Sequence, residues 1–196
     1  REILNICKET NCQLKVLPGL YQMINGDVSM SQVRKVEIED LLGRDVIQIS
    51  EGKNAYLSGK TVVVTGGGGS IGSELCRQLA KMNPKQIIIL DIYENGVYDV
   101  QQELKFMYKD ALDLRVEIAS ITDRQAMQMV FEKYHPEIVI NAAAHKHVPL
   151  MEHNCLEAVK NNVFGTKTIL ELCEEYGAGR FMMVSTDKAV NPTNVM

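Results

Sequence analysis

Two adjacent residues near the end of the chain carry side chains that can move protons. Asp187 and Lys188 follow Ser185 and Thr186 directly after an apolar run. A carboxyl group can give a proton to a bound substrate and a neutral amine can take one, so the pair suits general acid–base chemistry. An exposed ion pair on a surface loop explains the same residues, and the residue types alone leave both interpretations open.

A glycine-rich turn provides a second chemical feature, the ability to hold a phosphate. It lies between the apolar run Thr61–Val64 and a stretch of apolar residues at helical spacing, which argues against a flexible linker. In a dinucleotide-binding fold, Gly66 allows the tight turn, Gly69 lets the backbone approach a pyrophosphate and Gly72 lets the helix pack against the strand. The first N–H groups of that helix, from Ser70 onward, are then expected to face the anion.

An acidic residue at the end of the next apolar run strengthens this prediction. The carboxylate of Asp91 can accept hydrogen bonds from the hydroxyl groups of an adenosine ribose, and its charge repels a 2′-phosphate. No arginine follows within the next ten residues, so we expect NAD rather than NADP. Asp91 also fits the N-cap of the helix that follows, and the two roles are compatible.

The fourth apolar run ends in Asn141 and three alanines, Ala142–Ala144. Small side chains leave the backbone bare where a nicotinamide ribose would pass, although tight packing of a helix on a strand also explains them. His145 and His147 flank Lys146, but no third metal ligand is apparent, so we expect no metal. Lys146 is instead expected to face a phosphate or a sugar hydroxyl.

These residues can act together only if the fold brings them to one place. Apolar strands and amphipathic helices alternate over residues 58–196, which predicts a doubly wound parallel α/β sheet with helices on both faces. Ligands bind such sheets beyond the carboxyl ends of the strands, where the candidate residues fall. The predicted strands are Thr61–Val64, Gln86–Asp91, Leu114–Ile118, Glu137–Asn141 and Arg180–Val184. The predicted helices cover 71–82, 95–108, 123–133 with Asp123 as its cap, 151–159 and 162–176.

Residues 1–57 differ in character and are predicted to be a leader segment. A helix over Glu2–Thr10 and a short strand over Leu14–Pro18 are expected, but the segment lacks a core of its own. We interpret it as packed on the main domain or mobile. The turn Gly43–Asp45 offers an alternative, in which it reaches a nucleotide or a neighbouring subunit.

Composition excludes several classes of function. The 196-residue chain has a net charge of −4 and no basic run, so nucleic acid and anionic membrane surfaces are not expected partners. Its five scattered cysteines are interpreted as reduced thiols, and no stretch of 18 apolar residues is present. The chain begins without methionine and stops abruptly at Met196, which predicts a piece of a longer protein.

Four motifs together resemble the extended short-chain dehydrogenase/reductase superfamily, which has a Rossmann-type fold. They are Thr65-Gly66-x-x-Gly69-x-x-Gly72, Asn141-Ala142-Ala143-Ala144, Asn162-Val163-x-Gly165-Thr166 and Ser185-Thr186-Asp187-Lys188. Two longer stretches resemble, more narrowly, the nucleotide-sugar 4,6-dehydratases of bacterial polysaccharide and capsule biosynthesis. These stretches are Ala144–Pro149 and Ser185–Pro192.

The resemblance implies a reaction with tightly bound NAD. In that family NAD takes a hydride from C4 of a UDP-linked sugar, usually UDP-N-acetylglucosamine, water leaves across C5 and C6, and the hydride returns to C6. Asp187 would then protonate the departing C6 hydroxyl, Lys188 would take the C5 proton as a neutral amine and Thr186 would bond near the C4 oxygen. Related epimerases usually lack this acid–amine pair, so dehydration is expected rather than simple epimerisation.

The resemblance also implies which residues contact the ligands. The expected cofactor contacts are Gly66, Gly69, Ser70, Ile71, Gly72, Asp91, Ile92, Ser120, Ile121, Ala142, Ala143, Ala144, Lys146 and Asn162, and the expected substrate contacts are Lys146 and His147. Two positions depart from the superfamily pattern. Met196 replaces the usual catalytic tyrosine, as in the long dehydratases, which leaves the C4 base unassigned. Ser120 replaces an aspartate that binds the adenine amine.

The wider implications concern the whole protein. Residues 14–50 resemble the stretch that precedes this domain in long, membrane-anchored members, so the full-length protein is expected at the cytoplasmic face of the bacterial inner membrane. This fragment is expected to be soluble and inactive alone. Superfamily members often pair through helices corresponding to 94–108 and 151–176, which makes a homodimer an expected state. A nucleotide-sugar epimerase or reductase and a non-catalytic dinucleotide sensor remain the alternatives.

Overall fold

The computed structural model describes residues 15–16, 34–35 and 56–195, and by compactness the chain divides into Arg1–Ser50 and Glu51–Met196. In the first unit, β1 (Lys15–Val16) pairs antiparallel with β2 (Arg34–Lys35). The predicted helix Glu2–Thr10, the turn Gly43–Asp45 and Met196 lie outside the described residues.

The second unit contains a five-stranded parallel sheet. Its strands are β3 (Thr61–Thr65), β4 (Gln86–Asp91), β5 (Leu114–Ile118), β6 (Ile138–Asn141) and β7 (Arg180–Met183). They lie in the order β5-β4-β3-β6-β7, and every neighbouring pair is parallel. This order reverses direction between β3 and β6, so the predicted doubly wound sheet is confirmed. Each predicted strand lies within one residue of the observed one.

Helices cover both faces of the sheet because its central strands are apolar on both sides. Val62 and Val64 of β3 point into one core cluster, whereas Val63 points into the other. The first cluster packs against α1 (Ser70–Ala80) and α2 (Glu94–Tyr108). The second packs against α3 (Arg124–Tyr134), whose predicted Asp123 cap is confirmed by a 3.0 Å hydrogen bond from the Ala126 N–H group.

The helices after β6 differ from the prediction. A short helix, α4, covers Val148–Glu152, and a continuous run then covers α5 (Cys155–Ala158), a π-turn (Val159–Gly165) and α6 (Thr166–Glu175). The predicted break between 159 and 162 is therefore wrong, since the chain leaves helix at residues 153–154 instead. Periodicity could not reveal the π-turn, because one extra residue in a helical turn shifts the apolar pattern without interrupting it.

Three of the five cysteines lie among the described residues. Cys76, Cys155 and Cys173 are free thiols. Burial raises the pKa of Cys76 to about 12 and that of Cys173 to about 11, so both thiols stay protonated and unreactive at neutral pH.

Candidate functional site

The carboxyl ends of β3, β4, β5 and β6 surround a cavity of about 460 Å³, which we call the strand-end cavity. Most of the predicted ligand contacts line it. These are Gly66, Gly69, Asp91, Ile92, Ser120, Ile121, Ala142, Ala143, Ala144, Lys146 and His147. The cavity lies where the strand order reverses, the position at which doubly wound sheets bind nucleotides.

The glycine turn at the base of the cavity has no room for side chains at two positions. Gly66 has φ +68°, and a Cβ atom there would lie 2.6 Å from the backbone of Ala142. A Cβ atom on Gly72 would lie 2.0 Å from the Gly66 carbonyl oxygen. Gly72 was predicted to let the helix approach the strand, but the nearest atoms belong to the turn itself. Both glycines therefore let backbone segments approach closely and form a cradle beside the N-terminus of α1.

Asp91 is held by the backbone on both sides of its carboxylate. The Gly68 N–H group donates to Oδ2 at 2.9 Å, and the Tyr93 N–H group donates to Oδ1 at 3.0 Å. Tyr93 itself is the N-cap of α2, so the capping role expected for Asp91 is wrong. Each carboxylate oxygen can accept a further hydrogen bond, which leaves Asp91 able to bind hydroxyl groups of a ligand in the cavity.

A buried polar chain ties the two central strand ends to the helix that follows. The Thr65 hydroxyl donates to Asn141 Oδ1, and Asn141 Nδ2 donates to Thr166 Oγ1 at 3.1 Å. All three residues are buried. We call residues Ala142–His147 the alanine loop. Because each polar group has a partner, these hydrogen bonds fix the direction in which the alanine loop leaves the sheet.

The acid–amine pair lies in the loop after β7. Lys188 Nζ is 3.4 Å from Asp187 Oδ1, and the Thr186 hydroxyl donates to the same oxygen at 3.0 Å. The hydrogen bond from Thr186 and the charge of Lys188 lower the pKa of Asp187, so the carboxyl is ionised at neutral pH. The Asp187 side chain is 91% exposed, and the pair does not line the strand-end cavity. β7 pairs with β6, however, so its loop leaves the same edge of the sheet as the alanine loop.

Some residues differ from the predicted set. Ser70, Ile71, Gly72 and Asn162 do not line the cavity, whereas Tyr93, His145 and Asn161 do. Tyr93 follows Asp91 by two positions, and this spacing could have indicated that Tyr93 also lines the cavity. Asn161 had no signal in the sequence, because only the π-turn brings it to the cavity.

The described residues contain neither a metal-binding cluster nor a membrane-crossing helix. No group of three or more histidine, cysteine or acidic side chains within residues 15–16, 34–35 and 56–195 is arranged to hold a metal ion. In the same part of the chain, no helix combines the length and the apolar character needed to cross a bilayer.

Sequence comparison places the chain among known proteins. The family described as "Polysaccharide biosynthesis protein" matches residues 62–196. The probable polysaccharide biosynthesis protein EpsC of Bacillus subtilis is 46% identical over 97% of the chain, which covers 32% of that relative. The inverting UDP-N-acetylglucosamine 4,6-dehydratase of Campylobacter jejuni is 32% identical over 70% of the chain and 40% of the relative. The chain thus spans a third of EpsC and two fifths of the dehydratase.

Structural comparison shows similarity at the level of the fold. UDP-glucose-4-epimerase of Stenotrophomonas maltophilia, solved with bound NAD and formylated UDP-arabinopyranose, has a TM-score of 0.59 and 24% identity. The similarity covers 66% of this chain and 38% of the epimerase. Because the family match includes most of the chain, the protein belongs to the polysaccharide biosynthesis protein family, whose relatives include nucleotide-sugar dehydratases and epimerases.

Proposed function

We propose that the chain is the NAD-binding part of a nucleotide-sugar 4,6-dehydratase that acts on UDP-N-acetylglucosamine in bacterial polysaccharide biosynthesis. One observation carries the proposal: the acid–amine pair and the strand-end cavity lie at the same edge of one parallel sheet. The named activity of the Campylobacter relative supports the choice of reaction and substrate.

The residues present fit NAD. Close backbone packing at Gly66 and Gly72 closes the turn beside α1, whose first N–H groups, from Ser70 and Ile71, suit a pyrophosphate. NAD held there would accept and return the hydride of the sugar. Other residues that line the cavity are proposed to hold the remaining parts of NAD. Asp91 and Ile92 would contact the adenosine ribose, and Ser120 and Ile121 would contact the adenine. Ala142–Ala144 and Lys146 would contact the nicotinamide side.

Proton transfer within the acid–amine pair supplies the groups that elimination requires. The exposed Asp187 carboxyl is ionised, but the reaction needs it protonated beside a neutral amine on Lys188. Moving one proton from the ammonium to the carboxylate produces that state without changing the net charge. A bound sugar that covers the pair would displace water, and desolvation favours the neutral forms. Asp187 can then protonate the C6 hydroxyl while Lys188 takes the C5 proton.

Other parts of the proposal concern residues at the cavity rim and the whole protein. Lys146 and His147 are exposed at the rim, which suits contact with the UDP-sugar. The C4 base remains unassigned, since Met196 cannot take a proton. We also propose that the complete gene product is membrane-anchored at the cytoplasmic face of the bacterial inner membrane and that it forms a homodimer.

The activity can be tested by mass spectrometry. The complete gene product is incubated with UDP-N-acetylglucosamine, and we expect a product lighter by one water; the chain of residues 1–196 is expected to give none. Purified protein of either length should release NAD on denaturation. An isomer of unchanged mass would support an epimerase instead. Bound NAD without any product from the complete protein would support a sensor.

Replacement of Asp91 tests the preference for NAD. In Asp91→Asn, one oxygen can still accept a hydrogen bond, but the new NH₂ group faces a backbone N–H donor. The substitution also removes the negative charge that repels a 2′-phosphate. We expect NAD affinity, measured by titration calorimetry, to fall about tenfold, while NADP affinity changes less. Asp99→Asn, on the exposed surface of α2, removes the same charge and should change neither. An unchanged ratio of NAD to NADP affinity in Asp91→Asn would contradict the proposed ribose contact.

A further inference from the structure

The side chain of Asn162 binds both backbone groups of one residue of the alanine loop, His145. Asn162 Oδ1 accepts a hydrogen bond from the His145 N–H group at 2.9 Å. Asn162 Nδ2 donates to the His145 carbonyl oxygen at 3.0 Å. A carboxamide therefore satisfies both backbone groups of a residue that lies seventeen positions away in the sequence. We call this pair of hydrogen bonds the Asn162 clamp.

The clamp acts at the middle of the loop that lines the strand-end cavity. The loop is tied to the sheet at its start, where the Ala142 N–H group donates 3.0 Å to the Thr65 carbonyl oxygen. It is tied to α4 at its end, where His147 accepts from two helical N–H groups. Among hydrogen bonds within residues 56–195, only the clamp reaches the backbone of Ala143–Lys146. Asn162 therefore supplies the hydrogen bonds that hold the loop between its ends, beside the packing of Ala143 against the core.

The π-turn brings the clamp residue to the loop. Asn161 and Asn162 lie within Val159–Gly165, where the helix is wider than an α-helix, and π-turns occur frequently at functional sites. Asn161 Nδ2 donates to Asn162 Oδ1 at 3.0 Å, so the Asn162 oxygen receives two N–H groups and its amide faces the carbonyl. This pattern fixes the orientation of the carboxamide.

We propose that Asn162 is a positioning residue that acts on NAD through the alanine loop rather than by contact. The clamp places Ala144 and Lys146, the neighbours of His145, against the bound dinucleotide. This inference rests on the proposed function, since it assumes that NAD occupies the cavity. A loop that is ordered before binding spares NAD the entropy cost of ordering it, so the clamp raises affinity.

Three variants test the inference. Asn162→Ala removes both hydrogen bonds, and we expect NAD affinity to fall at least about tenfold. In Asn162→Asp, the ionised carboxylate still accepts from the His145 N–H group but cannot donate to its carbonyl. Protonation restores a donor, so NAD should bind this variant more tightly as the pH falls from about 7.5 to about 4, near the ordinary pKa of an aspartate. At the lower pH it should bind NAD more tightly than Asn162→Ala does. Asn154→Asp is the matched control, because Asn154 Nδ2 also donates to a backbone carbonyl, that of Leu150, away from the cavity.

Hydrogen exchange without cofactor separates the clamp from the proposed function. The His145 amide should exchange at least about tenfold faster in Asn162→Ala, while the melting temperature and exchange of the β3–β6 core stay near those of the wild type. Equal NAD affinity in wild type and Asn162→Ala overturns the inference, as does an Asn162→Asp variant that binds no better than Asn162→Ala at the lower pH. Failure of wild-type protein to bind NAD overturns the proposed function and the cofactor role of the clamp together, and the exchange result then shows whether the clamp orders the loop at all.

Discussion

Gly66→Ala is expected to lower the free energy of unfolding substantially and to abolish NAD binding. Two penalties combine at this position. Residue 66 has φ +68°, a conformation that costs an alanine about 1–2 kcal/mol. The new Cβ atom would also lie 2.6 Å from the backbone of Ala142, which a rotamer change cannot relieve. Relief requires β3 and β6 to move apart at their carboxyl ends, where the cavity is formed.

Gly177→Ala is a matched control for this variant. Gly177 has the same φ of +68°, but no atom lies within 4 Å of the position that a Cβ would take. The difference between the two variants therefore measures the close approach alone. We expect Gly66→Ala to lose roughly 2–4 kcal/mol more stability in denaturant titrations than Gly177→Ala does. Equal losses would mean that the turn has room for a side chain and that the proposed cradle is wrong.

Asp187→Asn and Lys188→Met are each expected to lower turnover of UDP-N-acetylglucosamine by the complete gene product about 10²–10⁴-fold. An asparagine cannot give a proton to the departing hydroxyl, and a methionine cannot take one from C5. Neither residue lines the strand-end cavity, so NAD affinity should stay near that of the wild type. Because oxidation at C4 precedes elimination in the proposed reaction, both variants should accumulate reduced nicotinamide, seen by its absorbance, when substrate is added.

Asp113→Asn serves as the control for the loss of an exposed ion pair. Asp113 Oδ1 is 2.7 Å from Arg115 Nε, and the pair lies before and at the start of β5, at the opposite edge of the sheet. The Asp113→Asn variant should turn over substrate at the rate of the wild type. Turnover within threefold of the wild type in either site variant would exclude the acid–amine mechanism, since such a small loss fits an exposed ion pair with no catalytic role.

The central strands could be predicted because their surroundings leave a simple pattern. Ile87, Ile88 and Ile89 of β4 are all buried, since helices cover both faces of the sheet. β7 was predicted from a similar apolar run, yet Met182 and Met183 are 45% and 52% exposed. A single strand sequence contains no information on whether a neighbouring element covers it, so its burial could not be predicted.

The sequence by itself determined the order of strands and helices, the glycine turn and the residues that follow each strand end. Short-range patterns are sufficient for these features, because backbone conformation and apolar periodicity depend on neighbours in the chain. Only the tertiary structure decided what those residues touch. It showed Gly72 against the Gly66 carbonyl, Asp91 between two backbone N–H groups and Asn162 on both backbone groups of His145. Two of these contacts, Gly68 with Asp91 and Asn162 with His145, join atoms from separate segments, and their geometry depends on how the strands and helices pack together.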